Sequence, residues 1–307
     1  MMESTHFIIL CMTLFQCGQS SDQWTYLTPN VVAVPVKAHE SVSLTLSCGN
    51  HTGGVQWEKN GVPVGRGKQL NIVVKDMNGG NYTCHDDAGN MLNHVVVLQE
   101  GLGYRPAFLL KSPEGEYVTC TSKNYNGHFH CKWTKSSDRR KAEVLHFSVT
   151  RASSRGSTPS NISCSLDGDG TTLSCEDKRH CTFAEEEGRI TVSIYLRNEF
   201  RLEKYQTHFF IYEIVKPDKV NISKVEQNTF NWTYPSTWSR PSCYFRLAFQ
   251  IKVVGPHESC DKEKKVKTIH SLSVTICKKS KYKLCVRSQE EVSDFMWSEW
   301  SSYINNE

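Results

Sequence analysis

The side chains with the greatest capacity for chemistry in this chain are its thiols. The sequence holds thirteen cysteines and twelve histidines in 307 residues. Residues 1–20 read as a secretory signal peptide. Phe7 to Phe15 is apolar but too short to span a bilayer, and Gly18 and Ser20 put small residues before a cut ahead of Ser21. Cys11 and Cys17 leave with that segment, so eleven cysteines remain. In an oxidising compartment an odd number leaves at least one thiol free or paired with another chain. Zinc is the competing chemistry for paired cysteines, but no C-x-x-C or H-x-x-x-H spacing occurs and the histidines are scattered. Structural disulfides are therefore expected, with no metal and no cofactor.

Other reactive arrangements are missing. Gly65-Arg66-Gly67-Lys68 superficially suggests a phosphate loop, but Val62 stands where the earlier glycine is required and Gln69 replaces Ser/Thr. There is no G-x-S-x-G and no H-E-x-x-H. The reading is non-enzymatic. A net charge of +4, one unit higher once Glu3 is removed, is too small to argue for nucleic acid. Five N-x-[ST] sequons, at Asn50, Asn81, Asn161, Asn221 and Asn231, fit a secreted glycoprotein. No run of 18 apolar residues follows the leader and the C-terminal residues are polar, so a soluble extracellular chain without a membrane anchor is expected.

The elements that must position these groups are strands. Val42 to Cys48 alternates apolar and polar residues, as does Leu70 to Val74, the period of half-buried strands. Trp57 follows Cys48, and Tyr82 stands two residues before Cys84, where a tyrosine corner belongs. Residues 21–104 therefore read as an immunoglobulin-like sandwich with Cys48 and Cys84 bridging its sheets. Cys120 and Cys131 flank an Asn126-Gly127 turn signal with Trp133 beyond, and Cys164 and Cys175 flank a turn-rich loop, giving a second module over 105–216. Lys216-Pro217-Asp218 marks an elbow, because proline cannot join a sheet ladder. Strand signals at 230–234, 244–251, 272–276 and 282–287 then make a third sandwich over 217–307. The chain reads as all-β, with three tandem β-sandwiches.

In the last module Cys243, Cys260, Cys277 and Cys285 allow three pairings. Cys243 and Cys285 fall on strands expected to be neighbours, which favours that pair and leaves Cys260 with Cys277. Trp297 and Trp300 are read onto one strand with Arg287 on the preceding one, its guanidinium stacked between the rings. Lys264, Lys265 and Lys267 lie in a basic cluster that is either a solvated loop or a site for heparan-type glycosaminoglycan.

Trp297-Ser298-Glu299-Trp300-Ser301 resembles the signature of haematopoietic cytokine receptors, and the second and third modules resemble their fibronectin type III cytokine-binding pair. The segments 124–129, 209–218 and 232–239, taken with that motif, are similar to the interleukin-12 beta-subunit family across all three modules. The resemblance implies a secreted receptor-like chain that holds a four-helix cytokine alpha subunit, interleukin-12 alpha-like or interleukin-23 alpha-like, and engages a cell-surface cytokine receptor. It implies that Cys181 forms the interchain disulfide, and that Tyr125, Glu185 and Glu290 at the elbow face the partner, the carboxylates receiving an arginine. It also makes Trp297 a candidate for C-mannosylation. One departure is plain: the family cysteine that matches Cys277 pairs with one near the C-terminus, and this tail has none. The alternative is a free soluble receptor or decoy, or an antagonist homodimer; a third, an adhesion or scaffold glycoprotein, would use the same sandwiches.

Overall fold

The computed structural model describes residues 24–306 apart from 38, 52–53, 102–106, 138–140, 153–159, 181–185, 187, 239–244, 279 and 293–295. The segment read as a signal peptide thus lies outside the described residues. The chain forms two compact units, residues 1–102 and 103–307.

In the first unit the alternating segments become strands whose buried positions fall on one face. Ser41–Ser47 buries Val42, Leu44 and Leu46, and pairs antiparallel with Gln69–Lys75 so that Leu44 lies opposite Ile72. The facing sheet runs in the spatial order Thr25–Thr28, Val31–Val36, Met91–Gly101, Gly80–His85, Gln56–Lys59, Val62–Arg66. Within it Val31–Val36 is parallel to Met91–Gly101. Asn60 and Gly61 make a two-residue hairpin loop with φ of 51° and 80°. A type I′ turn demands positive φ at both positions, which an Asn-Gly pair supplies. Cys48 and Cys84 bond across the two sheets, with Cα atoms 6.1 Å apart. Closing such a loop contributes about 3–4 kcal/mol on the chain-entropy account. Trp57 is fully buried, and its indole N–H donates to the Gly67 carbonyl at 2.9 Å.

The second unit contains two sandwiches. In the first, Ser160–Asn161, Glu143–Arg151, Ile190–Asn198 and Arg201–Phe209 form one sheet, and Thr119–Thr121, His128–Lys132, Thr172–Glu176 and Ser163–Leu166 form the other. Here the disulfides lie within a sheet. Cys120 faces Cys131 and Cys164 faces Cys175 as cross-strand partners, with Cα atoms 4.0 and 4.1 Å apart. Asn126-Gly127 closes a connection from residue 122, longer than a two-residue turn. Gly127 is at φ 85°, and a Cβ there would lie 2.5 Å from the Asp177 carbonyl oxygen.

In the second sandwich Asn221–Lys224, Thr229–Thr233 and Ser273–Thr275 face Lys267–Ile269, Leu247–Val254, Tyr282–Glu290 and Ser301–Asn305. The short helix Ile211–Ile214 leads into the elbow. The buried apolar residues of the two sandwiches form one cluster, from Phe108 and Phe129 through Ile211, Ile214 and Val215 to Phe230 and Tyr282. All-β sandwich architecture is thus what the structure shows.

Candidate functional site

The elbow is built as a continuation of both cores. Ser122 N–H donates to the Ile214 carbonyl at 2.9 Å, and Lys216 N–H returns to the Ser122 carbonyl at 2.7 Å. This lacing fixes residues 122–127 against the linker. Asn124 Nδ2 then crosses to the Thr237 carbonyl at 2.7 Å. Tyr125 packs against Phe245, centroids 4.6 Å apart, and edge-on to Trp238 at 6.4 Å. Trp238 in turn donates its indole N–H to the Phe245 carbonyl at 3.0 Å. Aromatic pairs of this kind add about 0.5–1.5 kcal/mol beyond their buried area. Tyr125 is only 5% exposed, so its ring is placed inside the joint. Glu290 is also 5% exposed. It ends the strand Tyr282–Glu290 opposite Leu247, and its Oε1 accepts the Val292 N–H at 3.3 Å. Of the elbow set, Glu185 and Cys181 lie outside the described residues.

One face of the elbow carries a groove of about 850 Å³. Four of its charged side chains form two pairs across the joint, and Lys132, Lys219 and Asp167 line it as well. Lys123 bonds Asp218 at 2.9 Å, Thr237 Oγ1 donates to the same carboxylate at 2.8 Å, and Lys216 bonds Glu299. Burial acts to raise the Asp218 pKa, but Lys123 and Thr237 outweigh it and hold the carboxyl below its ordinary value. The Lys216 hydrogen bond does the same for Glu299.

The segment that carries Cys181 and Glu185 is tied at both ends by one arginine that the sequence did not single out. Arg151 Nε and Nη2 donate to Asp177 Oδ2 at 2.9 and 2.8 Å, and Nη1 donates to Glu186 Oε1 at 2.8 Å and the Gly188 carbonyl at 2.9 Å. The two carboxylates are 4% and 3% exposed. Burial works against the arginine charge, and the two acceptors more than offset it, raising the Arg151 pKa. No local motif signals this clamp, because its members lie 26 and 35 residues apart.

The last module carries the Trp-Ser-x-Trp-Ser run, and here the strand expectation is corrected. Residues three apart would face opposite sides of a strand. The backbone over 296–300 instead joins no ladder, and the strand begins at Ser301. Both rings therefore reach Arg287, whose guanidinium lies 5.0 Å from the Trp297 centroid and 4.5 Å from that of Trp300. Gln250 Oε1 accepts from Arg287 Nε and Nη2 at 2.9 and 2.6 Å, which aims the fork. Lys252 adds an unforeseen rung 4.4 Å from Trp300. The serines have equally definite tasks. Ser298 N–H donates to the Ser288 carbonyl at 2.7 Å, and its Oγ accepts the Ser288 N–H at 2.9 Å. Ser301 Oγ donates to the Val220 carbonyl at 2.6 Å.

The cysteine pairing of this module also differs from expectation. Neither Cys243–Cys285 nor Cys260–Cys277 forms; Cys260 bonds Cys285, and Cys277 is an exposed free thiol. The strands Leu247–Val254 and Tyr282–Glu290 are neighbours as anticipated, but Cys285 lies opposite Lys252, far along the first strand from its start at Leu247. The connection after Val254 folds back over this sheet: Glu258 accepts the Gly255 N–H at 2.8 Å, and Lys283 donates to the Glu258 carbonyl at 2.7 Å. That fold-back delivers Cys260 to Cys285, Cα atoms 5.9 Å apart. Cys243 lies outside the described residues.

Lys264 is tied to Glu258 at 3.2 Å beside Lys262 at 2.6 Å, so Lys265 and Lys267 are the exposed lysines of the cluster without that ion pair. Hydrogen bonds from Lys262, the Gly255 backbone and Lys264 lower the Glu258 pKa to about 2. Among the sequons, Asn50 and Asn221 are exposed, and Asn81 and Asn231 are half-buried on strands. The Asn161 side chain is outside the described set. Among the described residues no cluster of metal-ligating side chains occurs, and no helix is long and apolar enough to cross a membrane.

Tandem sandwiches, an elbow with a shared aromatic core and an arginine held between two tryptophans define a chain of cytokine-receptor-like architecture. Residues 115–198 match the family described as the cytokine interleukin-12p40 C-terminus. Interleukin-12 subunit beta of Marmota monax is 30% identical over 313 residues, covering 90% of this chain and 91% of that protein. Its Homo sapiens counterpart is 32% identical over 279 residues, covering 81% and 82%. The chain belongs to the interleukin-12 subunit beta family, and is accordingly a cytokine subunit and not an enzyme.

Proposed function

We propose that this chain is secreted and forms the receptor-like half of a heterodimeric cytokine. It holds a four-helix alpha subunit on loops at the elbow and presents the pair to a cell-surface cytokine receptor. The observation that carries this reading is the shared core at the joint, where Tyr125, Trp238 and Phe245 pack together and Asn124 bonds Thr237. A fixed elbow pre-organises loops from two modules, which lowers the cost of binding. In this reading Tyr125 sets the shape of the platform from within. Glu290 and Glu185 receive a partner arginine, and Cys181 forms the interchain disulfide.

Co-expression with interleukin-12 alpha-like and interleukin-23 alpha-like subunits tests it. The expected result is a heavier species on non-reducing gels that collapses on reduction and is lost in Cys181→Ser, with non-covalent capture retained. A chain secreted alone in the presence of both subunits would sink the reading. The exposed thiol of Cys277 favours a second form, a disulfide-linked homodimer. That form is expected to vanish in Cys277→Ser and to survive Cys181→Ser.

A further inference from the structure

The elbow groove has an occupant within reach of its own chain. Asn221 begins the edge strand Asn221–Lys224, is exposed, lines the groove, and opens the sequon Asn221-Ile222-Ser223. We propose that Asn221 is glycosylated and that its glycan core lies in this groove, bridging the two modules. The inference rests on the secretion stated above.

Three observations lead there. The first is the choice of sequon. The neighbouring Asn231 lies on the middle strand of the same sheet, half-buried, and its Oδ1 accepts the Ser223 hydroxyl at 3.0 Å. Asn221 on the edge strand is exposed. The second is the chemistry of the lining. Lys123–Asp218 and Lys216–Glu299 are neutralised pairs, and Lys132, Lys219 and Asp167 line the walls beside them, so the groove is rich in donors and acceptors. Pro217 and Pro235 supply apolar surface beside them. A neutral, hydroxyl- and amide-rich sugar finds hydrogen-bonding partners on such walls, with Lys132 and Lys219 as further donors. The third is size. A groove of about 850 Å³ lies within the range of small-ligand sites, large enough for more than a stray water.

The attachment is ordinary group transfer from a lipid-diphosphate-linked oligosaccharide. The Asn221 amide nitrogen attacks the anomeric carbon, a C–N bond forms, the C–O bond to the diphosphate breaks, one amide proton is lost and the lipid diphosphate leaves. The glycan then replaces water over the Lys123–Asp218 and Lys216–Glu299 pairs, and adds a tie across the joint.

The secreted full chain tests this by site-resolved release. An amidase that cleaves the Asn–sugar linkage is applied under native conditions, and occupancy at Asn221 and Asn50 is followed by peptide mass spectrometry. The Asn50 glycan in the same molecule is the internal reference. Release at Asn221 is expected to be about tenfold slower than at Asn50, as for a site that must open locally before cleavage. Ser236→Trp, which fills the groove from an exposed turn, is expected to bring the two rates together; Lys219→Trp serves if that variant is not secreted. Equal rates in the unmodified chain, or slow release that persists in the filled variants, overturn the proposal. An empty Asn221 beside an occupied Asn50 overturns it and leaves secretion intact. No glycan at any sequon overturns both.

Discussion

The elbow and the tryptophan ladder of the last module are both built from aromatic rings and polar ties, yet they work in opposite ways. At the elbow the rings are inside: Tyr125, Trp238 and Phe245 are each under a tenth exposed and belong to one core shared by two modules. In the ladder Trp297 and Trp300 are half-exposed, and cations rather than rings fill the gaps between them. The first arrangement fixes two modules relative to each other; the second stiffens the surface of one. In the proposed function, recognition falls to loops held by the elbow, and the ladder is a structural brace.

Four substitutions or conditions sharpen this contrast. Trp238→Ala removes a buried ring from the joint and is expected to lower stability by about 3–5 kcal/mol, read from the urea midpoint by circular dichroism, and to reduce alpha-subunit capture with it. An unchanged midpoint would mean the elbow is not part of the core. Arg151→Ala leaves the buried carboxylates of Asp177 and Glu186 without their partner and is expected to cost about 3 kcal/mol. Its selective signature is a fall in disulfide-linked product relative to non-covalent complex, measured on the same gels. Arg287→Lys keeps the charge but loses the stacked plane and the two-pronged bond to Gln250, so a loss of about 1–2 kcal/mol is expected with capture unaffected.

The smallest effect is a pH dependence of the groove pairs. Asp218 and Glu299 both have folded pKa values below their unfolded ones. Their contribution is therefore complete above the unfolded carboxylate values, near pH 4–4.5, and is lost as pH falls through the folded values. Each pair is solvent-accessible, so less than about 1 kcal/mol is at stake. Asp218→Asn is expected to flatten that part of the acid limb in thermal melts; an unchanged limb would remove Asp218 from the account.

Much of this architecture could be read from residue order. Alternation in 42–48 and 70–74 predicts which positions face the core, and the pairing of Leu44 with Ile72 is consistent with it. Cys48, Trp57, Tyr82 and Cys84 signal the inter-sheet bridge because each has a fixed place on a neighbouring strand. The pairing of Cys260 was hidden by a connection that folds back over the sheet through Glu258 and Lys283, contacts with no sequence period. The Arg151 clamp was hidden likewise, since its acceptors come from separate segments. Trp238 stands in text that reads as turn, and Phe245 falls in the 244–251 strand signal but just before the observed strand at Leu247, so nothing local marks them as partners in the joint. The ladder was legible as a motif but misread as a strand, because the spacing of three between its tryptophans does not suit a period of two.

Amide hydrogen exchange on the chain with and without a bound alpha subunit tests the contrast most directly. Slower exchange on binding is expected in the elbow loops around 122–127, 234–238 and 288–292, with residues 296–302 unchanged. Protection confined to 296–302, with the elbow loops exchanging as in the free chain, would contradict it.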